Sequence, residues 1–217
     1  MENADRLLRK IAGELRPVEE KILCHPFAPA LERGEIPREK LEIFAGEQYG
    51  IITSDLRSVA HLLARAGTKA TQGFFAFVLP GEQAALRNLL GFAAALGMNE
   101  ETLSGYRQQA AAQAYKACMA WLALQRPHSE AAAAFLVNFP AWGQLCGRIS
   151  IALKAEYGFN EEGVAFFEGF ASPAPEFGEK ARSVIAEGLA HGDDPAGIHA
   201  ACRLLQEYEL MFWDSLM

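Results

Sequence analysis

Apolar residues recur at helical spacing along nearly the whole chain, and glycine or proline interrupts them at short intervals. Leu7, Leu8, Ile11 and Leu15 share one helical face, and Val18, Ile22 and Leu23 continue the pattern beyond Pro17. No run of strict alternation marks a half-buried strand. Such a chain can bury its stripes only by packing helix on helix, which predicts an all-α, single-domain multi-helix bundle over residues 1–217.

The punctuation sets expected boundaries. Pro17 lacks an N–H, so a kink or break is expected there. Cys24-His25-Pro26-Phe27 should end the first helix, since a residue before proline avoids the α region. A short piece over 29–33 stops at Gly34, and Pro37 opens a helix over 37–66. The Phe-rich stretch 68–78 is expected to close at a Pro80-Gly81 turn, with a separate helix over 81–96. Asn99 caps a helix predicted over 100–124. A helix over 129–157 contains Pro140 and Gly143 and ends at Gly158. Asn160 caps a short helix, Ser172-Pro173-Ala174-Pro175 forms a turn, and helices follow over 176–190 and from Pro195 on. The sum is about eight helices.

Several functions are disfavoured at once. The 20 Lys+Arg against 27 Asp+Glu leave a net charge of −7 with no basic cluster, which opposes binding to nucleic acid. No stretch approaches the ~20 apolar residues that cross a membrane, and a charged start without a hydrophobic run predicts a cytoplasmic protein. Cys24, Cys118, Cys146 and Cys202 form no CxxC pair and read as reduced thiols. No Glu-x-x-His pair, P-loop, GxGxxG or GxSxG occurs, so no metal and no cofactor is expected.

Polar residues on apolar faces are the informative ones, because burying them costs free energy without partners. His25 either caps a helix or meets a ligand. Glu47, Gln48 and Tyr49 lie mid-helix, where a solvated face explains Glu47 as well as a pocket does; Asp55 shares the face of Gln48 two turns on. Asn138 and Gln144 flank Pro140, and either satisfy freed carbonyls or point into a cavity. Glu209 sits among Tyr208, Met211, Phe212 and Trp213. It is either exposed near the end of the chain or a buried carboxyl with a raised pKa, suited to acid–base work.

In order, His25-Pro26-Phe27, the Gly34 to Leu41 segment, Phe44 to Tyr49, Phe139-Pro140-Ala141-Trp142-Gly143 and Tyr208-Glu209-Leu210-Met211-Phe212-Trp213-Asp214 resemble the TenA/PqqC family of the haem-oxygenase-like superfamily. The resemblance implies a helical bundle around a central ligand-sized pocket, commonly a dimer or tetramer. The family includes aminopyrimidine aminohydrolases of thiamin salvage, a cofactor-less oxidase of quinone biosynthesis and di-iron oxygenases. It implies Glu209 as the catalytic carboxylate, and Glu47, Gln48, Tyr49, Phe139, Ala141, Trp142, Gln144 and Phe212 as ligand-binding positions, with Tyr106 as a further aromatic wall.

The departures shape the expected function. Ala141 stands where thiaminase-type members carry their cysteine nucleophile, and a methyl group cannot attack. Cys146, five residues on, points about 140° away around the helix. Gln48 replaces the family's pocket aspartate and cannot ionise. Asn88-Leu89 is followed by no carboxylate of the di-iron kind, and Arg57, Arg87 and Arg148 are too few for a polyanion site. The expectation is a TenA-like protein that binds or processes a small flat molecule without the cysteine. The alternatives are a non-cysteine oxidase of the superfamily and a regulatory scaffold.

Overall fold

The computed structural model describes residues 1–172 and 174–217, so Pro173 of the expected 172–175 turn lies outside the described residues. Ten helices account for the architecture among them: α1 Glu2–Leu23, α2 Phe27–Glu32, α3 Arg38–Arg65, α4 Lys69–Ala95, α5 Glu100–Ser104, α6 Ala110–Gln125, α7 His128–Tyr157, α8 Glu161–Ala171, α9 Glu176–Ala190 and α10 Pro195–Ser215. Among the described residues no helix is long and apolar enough to cross a membrane.

Most ends follow the local chemistry. Asn160 Oδ1 accepts from the Gly163 amide at 2.9 Å and starts α8, and Asp194 Oδ1 accepts from the Ala196 amide at 2.9 Å and starts α10. Gly34 and Gly158 take φ of +68° and +71°, the left-handed setting that releases a chain from a helix. The His25 ring caps α2, with Nδ1 accepting from the Phe27 amide at 3.3 Å.

Tertiary packing settles three expectations. Helix α1 does not break at Pro17, one of the two outcomes expected there, because Ile11 and Leu15 before it and Ile22 after it are all buried against α7, α9 and α10. Helix α4 likewise continues through Pro80 and joins the two predicted pieces, with Phe74, Phe75 and Val78 buried on one side and Ala85, Leu89 and Phe92 on the other. An interior proline costs about 3 kcal/mol. Burying a single large apolar side chain returns about 1.5–3 kcal/mol, so several outweigh it.

The predicted 100–124 helix is instead divided into α5 and α6 by the segment 105–109. That segment lies across α3. Tyr106 Oη donates to Glu47 Oε1 at 2.8 Å, the Gln109 amide donates to the same oxygen at 2.9 Å, and Gln108 Nε2 donates to the Glu47 carbonyl at 2.8 Å. Gly46 makes room for it, since a Cβ there would come within 2.5 Å of the Tyr106 ring.

The core has two adjoining clusters. One gathers Phe27, Phe44, Phe92, Trp142, Phe166, Phe167, Phe212 and Trp213. The other gathers Ile11, Val59, Phe74, Phe75, Met119, Phe135, Ile185 and Ile198 around the wholly buried Ala131 to Ala134 of α7. The Phe74–Phe75 pair is therefore core. Tyr115 packs against both clusters, and the cavity described next opens at their junction.

Candidate functional site

Five helices and the end of α8 enclose a narrow cavity that opens to solvent and has about 30 Å3 of free interior. Helix α3 contributes Gln48, Ile51, Ile52 and Asp55, whose spacing of three, four and seven residues puts them on one face. Glu82 comes from α4, Tyr115 from α6, Asn138, Phe139 and Trp142 from α7, Phe170 from α8, and Glu209 and Phe212 from α10. The walls are aromatic. Phe139 and Trp142 each meet Phe170 edge-on at 6.2 and 5.8 Å between ring centroids. A second, wider groove adjoins the first and shares Glu82, Phe139 and Phe170 with it, continuing past Phe77, Phe166 and Phe177.

Among the described residues, three carboxylates border this cavity and no Lys, Arg or His does. Glu209 is held from both sides. Trp213 Nε1 donates to Oε1 at 3.1 Å, and Asn138 Nδ2 donates to Oε2. Tyr115 Oη in turn donates to Asn138 Oδ1 at 3.2 Å, which orients the amide. Burial favours the neutral acid, while the two donors favour the ionised form; burial wins, and the pKa of Glu209 rises from 4.5 to about 7. Trp213→Phe removes one donor and keeps an aromatic ring, so the Glu209 pKa is expected to move above about 7. Carboxyl 13C titration would read this, and an unmoved or lowered midpoint would refute it.

Asp55 and Glu82 have no such support. Burial raises Glu82 to about 7, and burial together with the charge of Glu82 pushes Asp55 well above the carboxylate range. Asp55 Oδ1 and Glu82 Oε2 are buried with no hydrogen-bond partner. Among the described residues no three His, Cys, Asp or Glu side chains are placed to hold a metal ion.

The residues singled out from sequence divide cleanly. Gln48, Phe139, Trp142, Glu209 and Phe212 line the cavity together. Glu47 does not: it is fully buried, but its Oε1 is committed to segment 105–109. Tyr49 is half-buried, and its hydroxyl donates to Glu100 at 3.2 Å. Ala141 is fully buried in the core beside the cavity, and Gln144 is exposed. Tyr106 also faces away, onto Glu47.

Arg148 pairs with Glu32 at 2.7 Å, and Arg57 and Arg87 are exposed. His128 is half-buried with Nε2 3.0 Å from the Leu62 carbonyl. The four cysteines are free. None borders the cavity, and burial raises the Cys146 pKa well above its ordinary value. Glu82 and Tyr115 were not anticipated. Glu82 follows Pro80-Gly81, a dipeptide that signals a turn, and only the continuity of α4 carries it inward.

Comparison with solved structures shows the fold. A TenA homologue from P. horikoshii OT3 superposes with a TM-score of 0.78 at 17% identity, covering 97% of both chains. A TenA homologue from Pseudomonas syringae gives 0.83 at 12% identity, covering 96% of this chain and 91% of the other. A domain of unknown function with a haem-oxygenase-like fold from Shewanella denitrificans gives 0.74 at 13% identity, with the same coverage. No match was found among curated proteins. The family model for TENA/THI-4/PQQC spans residues 13–217. An all-helical, haem-oxygenase-like bundle matched over almost its full length by that model is a member of the TENA/THI-4/PQQC family.

Proposed function

We propose that this protein binds a small, flat, nitrogen-bearing molecule of the aminopyrimidine kind in the cavity, and processes it with Glu209 as acid and base and without a covalent cysteine step. One observation carries the reading: a buried carboxyl poised near neutrality faces an aromatic cavity in which no thiol is present. A pKa near the working pH lets one group both take and return a proton. In a hydrolysis, Glu209 takes a proton from water as its oxygen bonds to the substrate carbon, then returns that proton to the departing amine. The Ala141 methyl group and the protonated, buried Cys146 supply no nucleophile. Tyr115, Asn138 and Trp213 position the carboxyl. The family's dimeric or tetrameric assembly and a cytoplasmic setting belong to the same proposal, supported by the exposed Trp121, Leu124 and Ile151 and the free thiols.

Ammonia release from an aminomethylpyrimidine probe tests this reading. Glu209→Gln is expected to lower turnover at least about 100-fold while leaving probe affinity within a few-fold, and Cys146→Ala is expected to change neither. Equal turnover in Glu209→Gln, or its loss in Cys146→Ala, would overturn the assignment.

A further inference from the structure

The proposed chemistry uses only Glu209 of the three acids that border the cavity. Asp55 and Glu82 are 4% and 6% exposed, border the same space from α3 and α4, and each leaves one oxygen without a donor. Two buried acids with no cation beside them are costly, and apolar residues of similar size would pack more stably. No donor from the protein reaches those two oxygens. Tyr115 Oη, the nearby hydroxyl on α6, is spent on Asn138.

We propose that Asp55 and Glu82 form a cation-recognition subsite for the ligand's protonated, amidine-like edge, and that seating the cation expels a proton from the pair into solvent. This deepens the reading above by naming the charge state of the substrate, and it rests on that reading. A planar cation with two N–H groups on one edge matches the two oxygens of a carboxylate. Its aromatic body meets the rings of Phe139 and Phe170, which border the cavity and the adjoining groove alike. Glu82 borders both spaces too, so its carboxyl stands where the two join, and Asp55 faces the first.

The proton follows from the surroundings. Tyr115 and Cys118 on α6 are the titratable groups that sense this pair, and Glu209 on α10 borders the same cavity; each is neutral or negative. Helix α7 presents Asn138 and α8 presents Phe170. Glu168 of α8 is paired with Lys154, and Lys180 of α9 lies over the Phe77 ring, outside the cavity. The empty pair is therefore held protonated near neutrality, and an arriving cation favours its ionised form. The released proton passes to buffer.

Benzamidine, a permanent planar cation at neutral pH, and benzamide, its uncharged counterpart, are the probes. Calorimetry slightly below neutral pH, in two buffers of different ionisation heat, reads affinity and proton release together. Benzamidine is expected to bind at least tenfold more tightly than benzamide, with release approaching one proton, and more tightly still as pH rises through about 7. The double substitution Asp55→Asn and Glu82→Gln is expected to abolish both the preference and the release, while circular dichroism and thermal unfolding report that the variant is folded. Equal binding of the two probes, a preference that survives the double substitution, or no proton release would overturn the subsite. If the aminomethylpyrimidine probe still binds in any of those cases, the proposed function stands without the subsite. Failure of all three probes to bind removes both.

Discussion

Between about pH 5 and pH 8 the ligand-free protein is expected to lose stability, and Glu209→Gln is expected to erase about 2–3 kcal/mol of that loss. The sign comes from linkage. Glu209 has a folded pKa of about 7 against an ordinary value of 4.5, so the folded state holds its proton more tightly than the unfolded chain does. Its contribution is complete below about 4.5 and disappears as pH rises through about 7. That gap, at 1.36 kcal/mol per pH unit, gives about 3 kcal/mol over the whole titration. Glu82, also raised to about 7, and Asp55 act in the same direction, so Glu82→Gln should flatten the profile too. The two acids share one environment, and their effects will not add. Glutamine at 209 also loses an acceptor for either Asn138 or Trp213, which lowers stability by about 1–3 kcal/mol even in acid. Urea unfolding at both ends of the range separates the slope from this offset. A variant slope equal to that of the parent would refute the assignment.

Phe44→Ala is expected to cost about 3–5 kcal/mol. Phe44 is 1% exposed, and its ring meets those of Phe92, Trp142, Phe166, Phe167, Phe212 and Trp213 at 5.4 to 6.4 Å. Removing it leaves a void that all six rings border, and such rigid neighbours collapse poorly. Trp142 lies parallel to it within 6°, and Phe212 stands edge-on; both are cavity walls. Probe affinity should therefore fall together with stability, although Phe44 itself does not line the cavity. Phe44→Leu, which refills part of the space, should recover some of both. Chemical denaturation and calorimetry on the same samples read the pair of effects. A loss below about 1 kcal/mol would show that the cluster repacks freely.

These rings also mark how far sequence alone reaches. Helical periodicity, Asn160, Gly158 and Asp194 state their meaning within a few residues, and the fold follows them closely. Pro80 misleads because its penalty is local while the burial that outweighs it comes from other helices. The break between α5 and α6 is hidden for a similar reason: its anchor, Glu47, lies on α3. In the site, Gln48 and Asp55 are legible as one face, and Glu209 and Phe212 through their apolar surroundings. Glu82 has no such signature, because only the neighbouring helices make its position an interior one.

Segment 105–109 gains a wider meaning from this. It grips α3 along Gly46, Glu47 and Gly50, while the cavity is served by Gln48, Ile51, Ile52 and Asp55 of the same helix. A helix has one rotational setting, so whatever fixes the outer contact also fixes the azimuth of the inner acid. Length changes in that distant segment would thus retune the cavity without touching it, and relatives could diverge in ligand choice by altering a clasp rather than a lining residue.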